Sequence, residues 1–473
     1  MEKVDFIKTL LKMSKSKVVN SLVLNRMDSF FYDSIINKNK NHLRTIQMRR
    51  YRFTSALLNS SMKNIQKGYI SSHILEKMTE VFVENTLYGS DNQEQVRARF
   101  LEKYHYDAPY FITLSPTQEC NLRCTGCYAS SDCHTSPTLP YEVVDRIVGE
   151  VHDLLGSRFI VISGGEPFIY KSEGKTLLDI FKKYNDIFFM IYTNGTLITS
   201  EMAAQFAELG NVSPAISVEG YETETNERRG EGVFAKILSA CENLKKSGVP
   251  FGISVTSTSK NINTLLTDEF YDFYFEKIGA TYMWQFQFMP IGRGKEAFSL
   301  MISPEQRVAL YRKWEIQLKD KKHPIADFWN SGVLTYGCVA YGGNKGYIYI
   351  DWNGNVMPCV FVPYYKDNIM ELYKNGKTIV DALNSDFMTN GRQWQNDYAV
   401  NDLMNPGNLL MPCSIRDHYD NFRKNIIPID AAGENEEADS ILNEPEYYKT
   451  LTDYDNQLAE LTDKIWDREF LNS

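Results

Sequence analysis

The chain has 473 residues, 43% hydrophobic and 23% charged, which is the balance of a folded globular protein with room for two to four domains. With 8 cysteines over that length it is not a disulfide scaffold, and no apolar run reaches the roughly 18 residues that span a bilayer. The formal net charge of −9 disfavours nucleic acid as the partner of the body of the chain, which shows no aromatic-basic platform.

In chain order, residues 1–105 read as a helical domain, with apolar positions at helical spacing in VDFIKTLLKM, HLRTIQMRRYRFTSALL and ISSHILEKMTEVFVENTL. The opening MEKVDFIKTLLKMSKSK lacks an apolar h-region and a small-residue cleavage site, so the expected location is cytoplasmic. Residues 1–70 carry 14 Lys and Arg against 4 acids, net +10, while the remainder carries 37 basic and 56 acidic residues, net −19. Two readings follow: an anionic partner such as a membrane surface met by the amphipathic FIKTLLKMSKSKVV, or a solvated basic face laid on an acidic body.

From Tyr110 the pattern changes to short strands alternating with amphipathic helices. The expected strands are YFITLS (110–115), RFIVIS (158–163), IFFMIY (187–192), PAISV (214–218), FGISVTS (251–257) and YMWQFQF (282–288). Among the helices, YEVVDRIVGEVHDLL places Val144, Ile147, Val151 and Leu154 on one face. Six strands alternating with helices over 106–325 predict an α/β protein with a parallel array, either an open sheet or most of a barrel. Past Pro324 the alternation stops. A small domain over 326–420 holds a hairpin, YIYID and VMPC joined through Trp352, Asn353, Gly354 and Asn355. Residues 421–473 read as an acidic linker, DAAGENEEADSILNEPE, and a last helix with Leu458, Leu461, Ile465, Trp466 and Phe470 on its apolar side.

Functional groups in βα arrays come from the carboxyl ends of the strands. Strand one runs into CNLRCTGCY (120–128), strand two ends in SGGEP (163–167), strand three in YTNGT (192–196) and strand four in SVEG (217–220). Strand five carries Ser254 and Thr256, and strand six leads to MPIGRG (289–294). Cys120, Cys124 and Cys127 fall short of a four-ligand zinc site or a fully ligated [4Fe–4S] cube, but they suit three corners of such a cube. Zinc needs a fourth ligand, for which Cys133 or His134 lies nearby in sequence.

C-x3-C-x2-C after the first strand, with Tyr128 following and a GGEP strand end next, resembles the radical S-adenosylmethionine (SAM) superfamily over about residues 108–325. The resemblance implies a partial (βα)6 barrel in which Cys120, Cys124 and Cys127 ligate a [4Fe–4S] cluster and SAM chelates the free iron. Gly164, Gly165 and Glu166 match the segment that contacts the SAM amino group. Ser217 and Glu219 match the fourth-strand polar pair, Thr193 and Asn194 sit where the third-strand loop nears the cofactor, and Arg228 or Arg229 suits the SAM carboxylate. The implied chemistry is one-electron cleavage of SAM to methionine and a 5′-deoxyadenosyl radical, which takes hydrogen from a substrate.

GCVAYGGNKGYIYIDWNGNVMPC resembles the start of the SPASM or twitch domains that follow such barrels and hold auxiliary Fe–S clusters. Only Cys413 follows Cys359, so Cys338, Cys359 and Cys413 imply at most one auxiliary cluster. The resemblance points to a peptide, protein or cofactor precursor as substrate, the basic amino terminus to a lipid, and the reductant to a ferredoxin or flavodoxin. The alternative from another class is a non-catalytic Fe–S electron carrier, which has no need of a SAM pocket.

Overall fold

The structure, a computed structural model, describes residues 20–81, 89–134, 137–343 and 346–472. Residues 6–19, the proposed membrane-facing stretch, lie outside them. Helices α1 (Asn20–Tyr32), α2 (Arg44–Gln66), α3 (Ser72–Met78) and α4 (Asp91–Tyr104) form the amino-terminal part. Helix α4 starts at a capping box between Ser90 and Gln93 and ends on His105 in the left-handed region (φ 63°). Basic residues of α2 and its C-cap meet acids of the body: Arg49 pairs with Glu315 at 2.7 Å, and Lys63 and the C-cap Lys67 both reach Glu276. Part of the basic excess is therefore a face laid on the acidic body. Among the described residues no helix is long and apolar enough to cross a membrane.

The sheet is built from β1 (Phe111–Leu114), β2 (Phe159–Ile162), β3 (Phe188–Thr193), β4 (Val212–Val218), β5 (Gly252–Ser257), β6 (Tyr282–Gln287), β7 (Ile325–Asp327), β8 (Tyr347–Ile350), β9 (Asn355–Met357) and β10 (Asp367–Asn368). Their spatial order is β10-β9-β8-β1-β2-β3-β4-β5-β6-β7. Strands β1 to β6 are parallel and follow the six expected runs to within two residues at either end. This is the α/β arrangement of the predicted partial barrel.

Two features differ from expectation. A further parallel strand, β7, pairs with β6, so the expected boundary at 325/326 falls inside a strand. The hairpin strand β8 pairs in parallel with β1, Phe111 opposite Tyr347 and Leu114 opposite Ile350, which joins the hairpin to the barrel sheet. That pairing spans more than 230 positions, and local periodicity carries no information about it.

Side chains alternate across the strands. Outward residues such as Ile160, Ile162, Phe189 and Ile191 join the main core under the helices. Inward residues Val161, Phe188, Met190 and Ala215 form a separate apolar cluster closed by Met78 and Val81. On the helix Tyr141–Asp153 the buried face is Val144, Ile147, Val148 and Val151; Leu154 lies beyond the helix end and is 38% exposed, against expectation. The acidic stretch after 430 is not a loose linker either. Ala432–Gly433 pairs with Tyr364–Tyr365, and the helix Glu436–Ile441 buries Ala438 and Ile441. The last helix, Pro445–Trp466, buries Leu458 and Trp466 as expected.

Candidate active site

Inward positions change character along the barrel. Near the amino ends stand Phe111 and Phe159; toward the carboxyl ends stand Thr113, Ser163, Ser217 and Thr256, with Trp284 level with Ser217 and Ser254. The result is a cavity of about 230 Å³ with an apolar floor and a polar mouth. Cys120, Cys124, Cys127, Gly164, Gly165, Thr193, Asn194, Ser217, Arg228 and Ser254 all border it, so the separate strand ends converge on one space.

The glycines of SGGEP have a steric reason. Gly165 N–H donates to the Thr117 carbonyl (3.0 Å) and Glu166 N–H to the Glu119 carbonyl (2.8 Å), so this strand end lies against the chain entering the cysteine loop. A Cβ on Gly165 would stand 2.1 Å from the Glu119 oxygen, and one on Gly164, which has φ +121°, 2.4 Å from the Thr117 oxygen.

Arginines hold the loop from two sides. Arg293 donates through its guanidinium to the carbonyls of Cys124 (3.0 Å) and Ser131 (2.6 Å), and its backbone N–H donates to the Cys127 carbonyl (3.1 Å). Arg228 donates to the Thr125 carbonyl (3.1 Å). Asn194 bridges to Asn121 (2.8 Å) and points its amide toward the Cys120 sulfur at 3.9 Å. The sequence reading placed Arg293 in a strand-end loop without a role; its only signal was the position of MPIGRG on the same side of the sheet.

Two expected contact residues stand behind the cavity wall. Glu166 is fully buried and accepts from the Thr193 hydroxyl (2.8 Å) and from the backbone N–H groups of Asn194 (2.8 Å) and Phe168 (3.2 Å), tying the ends of β2 and β3 together. Burial pushes its carboxyl up to about 7, against the pull of those donors. Glu219, 1% exposed, accepts from Arg228 (2.7 Å) and Arg229 (2.6 Å) and fixes both guanidiniums at the cavity edge.

Burial pushes the Cys120 thiol up to about 12 and also raises Cys124, where Arg229 and then Arg228 oppose it. The donor set suits a cluster. Three soft thiols share the wall with no fourth Cys or His; Cys133 is exposed and Cys133 and His134 are both off the wall. Among the described residues no group of three His, Cys, Asp or Glu is arranged to hold a single metal ion.

The remaining cysteines of interest gather at a second cavity, of about 350 Å³. Cys338, Cys359 and Cys413 border it together with Arg50, Phe53 and Thr54 of α2. Phe111, Trp284 and Phe328 belong to the walls of both cavities. Burial raises all three thiols, Cys359 to about 12. The Cys413 loop is held by a buried pair that local sequence does not reveal: Asp417 accepts the Cys413 N–H (3.0 Å) and pairs with Arg307 at 2.5 Å. Cys241, by contrast, packs in the core.

A parallel barrel with a three-cysteine loop and a Gly-Gly-Glu strand end at its mouth defines a class, and the comparisons agree with it. The family model for the radical SAM superfamily matches residues 114–268. The chain is 31% identical over 278 residues to the mycofactocin maturase MftC of Mycolicibacterium smegmatis, covering 57% of this chain and 69% of that protein. It is 27% identical over 295 residues to the AdoMet-dependent heme synthase of Methanosarcina barkeri, covering 56% and 80%. The crystal structure of Streptococcus suis SuiB bound to the precursor peptide SuiA shares the fold, with a TM-score of 0.51 at 18% identity over 63% of this chain and 70% of that one. The chain belongs to the radical SAM superfamily.

Proposed function

We propose that this chain is a radical SAM enzyme that holds a [4Fe–4S] cluster on Cys120, Cys124 and Cys127 and acts on a peptide or a cofactor precursor. The observation that carries the reading is the convergence of three thiols, the Gly164–Gly165 strand end and the Arg228–Glu219–Arg229 group on one cavity. When bound, the cluster and SAM supply one-electron reductive cleavage to methionine and a 5′-deoxyadenosyl radical able to take hydrogen from an unactivated C–H bond. The chain's own residues do the rest. Burial raises the Cys120 and Cys124 thiols, which would give up their protons on ligation, and Arg293 and Arg228 hold the loop carbonyls in place.

Asn194, Ser217 and Ser254 offer neutral polar groups to orient SAM, with Thr193 holding the Asn194 loop to Glu166, and Arg228 with Arg229 offers the positive charge that suits its carboxylate. Phe111 and Phe159 at the floor, with Trp284 and Phe286 higher on the wall, line the cavity with apolar surface that keeps water from the reacting atoms. We assign Cys338, Cys359 and Cys413 to one auxiliary Fe–S cluster, a reading supported by their common cavity. The electron donor would be a ferredoxin or flavodoxin, and residues 6–19 would meet an anionic membrane, which co-sedimentation with phosphatidylserine vesicles checks.

The substrate class is carried by similarity: relatives include a maturase, a heme synthase and a protein bound to its precursor peptide. The test is anaerobic reconstitution, reduction with dithionite and chromatography of the products. SAM-dependent 5′-deoxyadenosine from wild type, absent in Cys120→Ala, supports the enzyme. None from a cluster-loaded wild type makes the chain an electron carrier instead.

A further inference from the structure

The second cavity has an electrostatic asymmetry. Its wall, among the described residues, carries two charged side chains, Asp327 and Arg50. The Asp327 carboxylate is already engaged by four donors: the N–H groups of Trp329 (3.0 Å) and Asn330 (2.9 Å) and the side-chain amides of Asn330 (3.0 Å) and Gln287 (3.3 Å). The Asp417 charge behind Cys413 is matched by Arg307.

Arg50 has no carboxylate partner among the described residues. It rests over the Tyr336 ring, 4.7 Å from its centre, and the Tyr336 hydroxyl is itself engaged by Gln47 one helical turn earlier. The neighbouring Arg49 faces the other way, to Glu315 and over the Phe470 ring. A held guanidinium with no carboxylate partner among the described residues therefore borders the same cavity as three thiols.

We infer that Arg50 is the counter-cation of the anionic group bound by Cys338, Cys359 and Cys413, through which the amino-terminal helices set that group's affinity for electrons. The inference rests on the auxiliary-cluster reading above. Its physical basis is simple: three thiolates and a cluster carry net negative charge, one-electron reduction adds another, and a nearby fixed cation stabilises the reduced form more than the oxidised one. Arg50 does not border the first cavity, so it is a positioning residue for charge.

The test uses the full chain with Cys120, Cys124 and Cys127 replaced by Ala, so that only the second site carries iron, and follows its EPR signal in a redox titration. In Arg50→Gln the reduced-to-oxidised ratio at a fixed potential should fall about tenfold, a shift of about 59 mV for a one-electron couple. Arg50→Lys should stay near the parent, and Arg49→Gln should match it. Loss of iron in Arg50→Gln but not in Arg50→Lys supports the inference equally. It is overturned by an unchanged ratio in Arg50→Gln at full iron content, by equal changes in Gln and Lys, or by the same change in Arg49→Gln. A parent that binds no iron removes the auxiliary-cluster reading itself, and the inference with it.

Discussion

The two cysteine cavities share three aromatic rings and differ in how their thiols are presented. The first set lies on one short loop, three thiols within eight positions, and the fold spends its effort gripping that loop through Arg293, Arg228 and the glycines of SGGEP. The second set is assembled from segments up to 75 positions apart, and a buried ion pair plus a strand pairing with β1 bring them together. A local motif needs only its backbone carbonyls tied down, whereas a dispersed one depends on the tertiary structure around it. The difference predicts separable damage.

The largest separable effect should come from Arg307→Gln. It leaves the Asp417 carboxylate buried without its partner, which costs about 3–5 kcal/mol. The loss should appear as a lower denaturant midpoint together with loss of second-site iron, while first-site iron is retained. Equal loss from both sites would break the comparison.

Gly165→Ala is the converse. A Cβ at 2.1 Å from the Glu119 oxygen and 2.3 Å from the Gln118 oxygen must displace the entry to the cysteine loop, since both neighbours are backbone. Overpacking of this kind costs about 1–3 kcal/mol, and iron analysis should show depletion of the first site alone. Retention of full iron and an unchanged midpoint would mean that the strand end is not what places the loop.

Arg293→Gln should have the smallest effect. Its charged hydrogen bonds to the Cys124 and Ser131 carbonyls are worth about 1.5–3 kcal/mol, partly made good by water at the cavity mouth. Slower retention of first-site iron under a chelator is the expected outcome, with the second site unaffected.

The legible parts of the molecule were those with short-range signatures. The six strands announced themselves by β-rich runs between amphipathic helices, and the hairpin by its Asn353–Gly354 turn. The cysteine loop and SGGEP could be read because their chemistry sits within a few residues. What escaped was set by distant partners: the β1–β8 pairing, the Arg307–Asp417 pair 110 positions apart, and Arg293 folding back on a loop 169 positions earlier. Glu166 and Glu219 were expected at the site, but the sequence could not show that their carboxylates face protein donors behind the wall rather than the cavity. The acidic run after 430 misled because composition reports solvation, whereas Ala438 and Ile441 supply just enough apolar surface to dock it.

The most direct test of two cluster sites is iron and sulfide counting after anaerobic reconstitution of wild type and of the Cys120/Cys124/Cys127→Ala variant. The account predicts about eight irons in wild type and about four in the variant, one cubane per cavity. Four in wild type and none in the variant would empty the second cavity of its assigned role, and zinc in place of iron would contradict the radical SAM chemistry itself.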